Sequence, residues 1–392
     1  MNILFFSKSS TYLDGRIGGA ETSVRLIAEK LAERGHNISY LTFADPEDKQ
    51  PQPKTVNGVS VYFFDNPKYR RKYFFKKKKI SKTEQQAAFK EFAYDVISEN
   101  KVQLIYAHYD RASLKAFLNI KEKLDYKLVL RMAGLKWKEE SQKAEQIRSE
   151  YDDIFNSVDS INYNTPGLLD LSHDSAKQVG INYQPKDEFV TDIGGFAERN
   201  VEANDALDQN HFNIVVATRF SSYQKRQDIL VEAIQQMDNN LPIKVTMIGS
   251  GPERENIEAL ISKYGLESKI DIMPFVDQNT LWQILKSADL LCHPCEYEGL
   301  SKIIVESMLL GLPVLASKAK PLDDYVIEGK TGFLVENKSE LWAKKILDLH
   351  SNKNNLSHVG EAAKEYAKNK FDSDRNILSY EKEFQRIISK QD

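Results

Sequence analysis

The stretch from Cys292 to Ser317, Cys-His-Pro-Cys-Glu-Tyr-Glu-Gly-Leu-Ser-Lys-Ile-Ile-Val-Glu-Ser-Met-Leu-Leu-Gly-Leu-Pro-Val-Leu-Ala-Ser, reads as strand, loop, helix and strand. Strands joined through a crossover helix run parallel, so this piece alone commits its domain to an α/β sheet. Gly299 permits a sharp turn, Ser301 stands where a helix N-cap belongs, and Gly311 followed by Pro313 ends the helix, which spans about Lys302 to Leu310. Glu306 then lies inside a helix whose other residues include Ile303, Ile304, Val305, Met308, Leu309 and Leu310. A carboxylate there is costly unless something hydrogen-bonds to it. Ser301 and Glu306 are separated by a rise of roughly 7–8 Å. That spacing suits a ligand whose anionic part sits on the helix N-terminus while a hydroxyl-bearing part reaches Glu306. The plainer alternative is that Lys302, four residues from both Glu298 and Glu306, makes surface pairs with each.

The strand and helix alternation runs through the whole chain. It opens with a strand Asn2 to Ser7, a loop containing Arg16-Ile-Gly-Gly-Ala-Glu21, a helix from about Glu21 to Arg34 and a strand His36 to Phe43. Gly18 and Gly19 lie between strand end and helix start, where ligands collect in open sheets and where glycine lets backbone N–H groups approach an anion. Further strands are read at Val59 to Phe64, Leu104 to Tyr109 and Lys127 to Met132, which brings His108 and Arg131 to strand ends. The segment Lys138 to Val158 reads as helical and polar. The pattern restarts at Asn213, after the polar, acidic segment Asn200 to Gln209. A chain of 392 residues exceeds one ordinary core. Two domains are therefore expected, residues 1–199 and 200–373, followed by a C-terminal helix over 374–392 with Ile377, Tyr380, Phe384 and Ile387 on its buried face.

The net charge of −3 argues against a general affinity for nucleic acid, so any basic surface is local. Residues 68–82 form such a surface, mixing nine cations with aromatic residues, and fit either a solvated loop or a foot on an anionic membrane. No apolar run is long enough to span a bilayer, and the N-terminus begins as a strand, so a cytoplasmic protein is expected, peripheral on the inner membrane face if the basic run binds lipid. Cys292 and Cys295 form a Cys-x-x-Cys, but the helix starts several residues later and further zinc ligands at suitable spacing are lacking nearby, so redox and metal roles are not favoured.

In the second half, Arg219 and Lys225 follow one strand, Gly249-Ser-Gly-Pro252 follows the next, and the Glu298 to Glu306 element comes later. Two cations, glycine-lined backbone and a helix N-terminus suit a diphosphate, and two carboxylates suit hydroxyls on either side of it. A nucleoside-diphosphate sugar has these parts. The pair Glu298 and Glu306 with Ser-Met-Leu-Leu-Gly-Leu-Pro-Val resembles the glutamate, seven residues, glutamate signature of glycosyltransferase family 4. Gly18-Gly-Ala-Glu21 with Arg34-Gly-His36, Arg219 and Lys225, Gly249-Ser-Gly-Pro252 and Ser287-Ala-Asp289 through Pro294 resemble further family patterns in order.

The resemblance implies the GT-B fold, two Rossmann-like α/β domains facing across a cleft, with the C-terminal helix returning to the first. It implies a retaining transferase that moves a hexose-type sugar from a nucleotide sugar to a glycan or lipid-linked acceptor, as in cell-surface polysaccharide or glycoconjugate synthesis, without cofactor or metal. Glu306 would bind ribose, Glu298 the donor sugar, and Arg219 with Lys225 the leaving diphosphate. Gly18, Gly19, Gly249, Gly299, Leu300 and Ser301 would line the donor, with Phe275 and Val276 at the base. Lys225 is preferred to Arg226 because Arg226 resembles the residue that usually starts the helix. Many family members carry a histidine where this chain has Arg131-Met-Ala-Gly134, so no catalytic histidine carries over, and His108 and Arg131 stand as acceptor-side candidates. Two other functions fit the same residues: a sugar-nucleotide epimerase, which needs no acceptor, and a glycan- or membrane-binding protein without catalysis.

Overall fold

The computed structural model describes residues 1–13, 19–45, 52–66, 80–193, 201–203, 207–221 and 224–390. Gly18 and most of the basic run, residues 67–79, lie outside the described residues. The chain divides into two units, Met1–Gly195 with Ser373–Asp392, and Phe196–Asp372.

The first unit runs β1 (Asn2–Phe6), α1 (Gly19–Glu33), β2 (Asn37–Phe43), β3 (Lys54–Val56), β4 (Val59–Phe64), α2 (Lys82–Glu99), β5 (Leu104–His108), α3 (Arg111–Lys121) and β6 (Lys127–Met132). It continues with α4 (Lys136–Ser141), α5 (Glu145–Ser157), β7 (Ser160–Tyr163), α6 (Pro166–Val179) and β8 (Glu188–Val190). Its sheet has the order β3-β4-β2-β1-β5-β6-β7-β8, parallel except for the edge strand β3. Successive side chains of a strand point to opposite faces, and both faces are covered. Phe5 packs on Tyr106 and Phe384, while Phe6 packs on Phe89 and Phe117. The segment read as one polar helix from Lys138 to Val158 is two helices. In a straight helix Trp137 and Tyr151 would stand roughly 20 Å apart, yet their ring centroids are 6.5 Å apart, so the chain turns between them.

The second unit runs β9 (Phe212–Ala217), α7 (Gln227–Gln235), β10 (Ile243–Ile248), α8 (Arg254–Lys263), β11 (Ile270–Met273), α9 (Gln278–Ser287), β12 (Leu290–His293), α10 (Lys302–Leu309) and β13 (Val314–Ser317). A 3₁₀ turn (Leu322–Asp324), β14 (Phe333–Val335), α11 (Ser339–Ser351) and α12 (Lys353–Lys370) follow. The order β11-β10-β9-β12-β13-β14 is parallel throughout. Ile214 and Val216 enter one apolar layer with α7, α8 and α11, and Val215 enters the other with α9, α10 and α12, so this sheet is doubly wound. The final helix α13 (Ser373–Ser389) belongs to the first unit, where Ile377, Tyr380, Phe384 and Ile387 join Ile3, Phe5 and Tyr106 in one core. Among the described residues no helix is long and apolar enough to cross a membrane.

Candidate functional site

Strand β9 pairs with β10 on one side and β12 on the other, so the sheet reverses its winding between β9 and β12. A crevice forms at the carboxyl ends of strands at such a reversal, and ligands of open α/β sheets bind there. The segment after β9 carries Arg219 and Lys225; the segment after β12 carries Glu296 to Ser301. Backbone bonds tie the two together. Arg226 N–H donates to the Pro294 carbonyl at 3.2 Å, and Glu296 N–H donates to that of Gln224 at 2.9 Å. Arg226 stands at the N-cap of α7, with its guanidinium on Asp228 and Glu296. Lys225, one residue earlier, reaches Glu298 instead.

Glu298 is therefore not a surface partner of Lys302. Its Oε2 contacts the Lys225 ammonium and lies 3.2 Å from His293 Nε2, and its Oε1 accepts the Gly299 N–H at 3.2 Å. Burial pushes this carboxyl up, but Lys225 and His293 outweigh burial and hold it well below the usual carboxylate range. His293 ends β12, and strand position plus complete burial fix its ring. Its Nε2 also lies 3.3 Å from Ser301 Oγ and 3.5 Å from Lys225 Nζ, whereas Nδ1 is buried and makes no hydrogen bond. Burial, then the Lys225 charge, lowers the pKa of this imidazole. A strand-end histidine between two cysteines gave no one-dimensional sign of this contact.

Two local expectations need correction. Ser301 occupies the N-cap position of α10, but its hydroxyl makes no capping bond, because it is turned to His293. The first N–H groups of α10 thus keep no side-chain cap, and the N–H of Ser301 itself donates to Tyr325 OH at 3.0 Å. The turn at Gly299 is made without a positive φ. Gly299 serves through its N–H on Glu298.

Glu306 sits one turn beyond Lys302 in α10 with 6% of its surface exposed. Lys302 Nζ lies 3.4 Å from its Oε1, at ion-pair distance, and Oε1 accepts no hydrogen bond. Burial raises its pKa against the opposing pull of Lys302, Trp282 and Gln278. Lys302 also donates to Gln278 Oε1 at 3.1 Å, which bridges α10 to the start of α9. Just before α9, Phe275 is 65% exposed and Val276 packs against the apolar layer beneath. Leu300 is half-buried on the same layer. Gly249 has φ +148°, and a Cβ there would meet the Thr218 carbonyl oxygen at 2.2 Å. Only glycine lets the β10 loop lie against the residues leading to Arg219, whose side chain is exposed and has no partner among the described residues.

Cys292 and Cys295 are buried free thiols; Cys292 belongs to the apolar core, and burial raises both pKa values, that of Cys295 to about 12. Among the described residues no group of three His, Cys, Asp or Glu side chains is placed to hold a metal ion. In the first unit, Gly19 opens α1 and is exposed. His108 and Arg131 are register partners at the ends of β5 and β6. Arg131 is buried beside Tyr106 and Tyr380, and burial together with Arg131 lowers the His108 pKa to about 3.

Comparison with known proteins finds two family models and several relatives to which this chain is similar. Residues 198–366 match the model of glycosyl transferases group 1, and residues 17–161 match that of glycosyltransferase family 4. An uncharacterized glycosyltransferase of Methanocaldococcus jannaschii is 23% identical over 337 residues, which is 82% of each chain. A second from the same organism is 30% identical over 166 residues, 42% of this chain and 45% of that one, so the match spans less than half of that relative. Among solved structures, sucrose-phosphate synthase from Thermosynechococcus elongatus superposes with a TM-score of 0.81 at 18% identity over 99% of both chains. Anabaena HepE, in complex with UDP and glucose, superposes with a TM-score of 0.74 at 20% identity, over 98% of this chain and 99% of its own.

Proposed function

This chain belongs to glycosyltransferase family 4, and from that premise we propose that it moves a hexose-type sugar from a nucleoside-diphosphate sugar to a glycan or lipid-linked acceptor, with retention of anomeric configuration. One observation carries the reading: a single short helix has Glu298 and Ser301 at its uncapped start, beside Lys225, and a buried carboxylate oxygen of Glu306 without a hydrogen bond further along. An anion on the helix start and a hydroxyl on Glu306 meet both needs at once. Fold neighbours that hold UDP, UDP-glucose, or UDP with GlcNAc support such a donor.

In this reading Arg219, Lys225 and the N–H groups of α10 neutralise the departing diphosphate, the task that a metal ion performs in other transferases. The bond from the anomeric carbon to the β-phosphate oxygen breaks, the acceptor oxygen bonds to that carbon, and the acceptor proton leaves with the nucleoside diphosphate or to solvent. Retention requires acceptor and leaving group on the same face of the sugar, so positioning supplies much of the rate. Glu298 holds donor-sugar hydroxyls, Glu306 holds ribose, and Phe275 with Val276 flanks the base, while Gly19, His108 and Arg131 are the candidates of the first unit. A lipid-linked acceptor fits the basic run over 68–82, which would hold the protein on an anionic membrane surface.

Thermal unfolding across a panel of sugar nucleotides tests the donor claim, since a ligand at 100 times its Kd adds about 2.7 kcal/mol of stability. One or a few donors should raise the midpoint, and the best of them should release nucleoside diphosphate in the presence of acceptor, with no metal added. Conversion of the donor to an epimer without acceptor would move the assignment to an epimerase. Vesicle co-sedimentation that is lost on replacing Lys76 to Lys79 by Gln tests the membrane claim; salt-insensitive or absent binding counts against it.

A further inference from the structure

His293 lies under the loop that presents Glu298 and Ser301, and the transferase reading leaves it without a task. Its Nε2 faces three groups of different kinds: the Glu298 carboxylate, an acceptor only, at 3.2 Å; the Ser301 hydroxyl at 3.3 Å; and the Lys225 ammonium, a donor only, at 3.5 Å. A neutral imidazole has one N–H and one bare nitrogen. With the proton on Nδ1, a buried N–H would find no acceptor and the Nε2 lone pair would face the carboxylate. With the proton on Nε2, that N–H points at Glu298 and Ser301, and only a weaker acceptor is left unused in the interior. The second tautomer is selected. It also releases the Ser301 hydroxyl hydrogen from the imidazole and leaves it free to donate outward.

We propose that His293 is a positioning residue of the donor site: its Nε2–H fixes the Glu298 carboxylate and the Ser301 hydroxyl in the geometry that receives the sugar and the diphosphate. The inference rests on the transferase reading. It gives Glu298 a second, uncharged partner. When Lys225 turns toward the diphosphate, Glu298 keeps the Nε2–H and does not swing with it. The imidazole holds one proton throughout, because a second would sit on Nδ1, buried without an acceptor, and would charge a ring whose Nε2 already lies 3.5 Å from the Lys225 ammonium. Of the other titratable groups near this cluster, the Cys295 thiol and the Tyr325 phenol are kept protonated by burial, and the Glu296 carboxylate is paired with Arg226, so they do not alter that balance at neutral pH.

The test compares three variants of the full chain, with the donor identified by the thermal screen. The side-chain amide of His293→Gln places an N–H near the position of Nε2, that of His293→Asn places it near Nδ1, and His293→Leu has neither. The Leu and Asn variants should lose about 10- to 100-fold in kcat/KM, with much of the loss in donor KM. The Gln variant should recover to within about threefold of wild type, and its pH profile should have the same acid limb as wild type. Equal activity in the Asn and Gln variants, or an unimpaired Leu variant, overturns the proposal. So does an acid limb that is present in wild type and absent in the Gln variant, because the imidazole would then be carrying a proton. If the Leu variant does not fold, the Gln and Asn pair still decides. A wild-type protein that turns over no sugar nucleotide overturns the transferase reading and this inference together, whereas an active wild type with indifferent His293 variants overturns this inference alone.

Discussion

The pKa values of the two glutamates of the same short segment are shifted in opposite directions, and this separates their effects on stability. Glu298 has its folded pKa depressed below the ordinary 4.5. Its ion pair therefore stabilises the fold above the unfolded pKa, and that contribution is lost as pH falls through the folded value. Glu306 has its folded pKa raised above 4.5, so the folded state holds its proton longer, and stability falls as pH rises from 4.5 through the folded value. At pH 7 Glu298→Gln should cost about 3 kcal/mol, as expected for one partner removed from a buried pair. Glu306→Gln should raise the unfolding midpoint at pH 7, yet weaken donor binding by about tenfold or more. Unfolding midpoints from about pH 2 to 8 for the two variants check the opposite signs, the Glu298 effect fading below the ordinary carboxylate range and the Glu306 effect growing above it. The sequence did not contain this contrast, because Lys302 is four residues from each glutamate. The fold decides by bringing Lys225 to Glu298 across 73 positions, and His293 entered the same cluster unseen since a strand-end histidine reads the same whether it is core or contact.

At the scale of elements, α10 was legible because an apolar helix between two strand-like runs with Gly and Pro at its end has few alternatives. What holds it was not. Its C-terminal turn at Gly311 packs on α12, where a Cβ at Gly360 would lie 2.1 Å from the Gly311 carbonyl oxygen and 3.4 Å from Pro313 Cδ. Helix α12 is mostly polar, and apart from Leu356 its few buried residues, Gly360, Ala363 and Ala367, are small enough to give a weak periodic signal. Gly360→Ala should push the two helices apart at a cost of about 3 kcal/mol, and should weaken donor binding, because α10 carries Glu306. Urea unfolding and donor titration on the same variant check both effects; a stable variant with unchanged affinity would show that α10 is positioned from elsewhere. The strand ends that carry Arg219 and His293 were easier to read, since the parallel order puts every loop after a strand on the same edge of its sheet.

At the scale of the molecule, the chain builds one sheet from its first half and a second from Phe212 to Val335, then returns to the first with α13. Buried Ile377, Tyr380, Phe384 and Ile387 are fixed there by Glu381 on Arg34 and His36 and by Arg386 on Asp187. Burial of four large side chains is worth roughly 6 kcal/mol or more, comparable with the stability of a whole domain. Deleting residues 373–392 should therefore unfold the first unit, seen as lost solubility or an early unfolding transition, while the second unit keeps its own. The α/β class and the two-sheet plan followed from alternation and chain length; the burial of Arg131 beside Tyr106 and Tyr380, with His108 half-buried next to it, did not, because these neighbours are far apart in sequence. The central claim concerns the donor site after β9 and β12, and nucleoside diphosphate release from the best donor, in the presence of acceptor, tests it most directly. Arg219→Ala and Glu306→Ala should each lower kcat/KM by about 10²-fold or more with the fold intact; wild-type turnover in both variants, or none in the wild type with any sugar nucleotide, would contradict it.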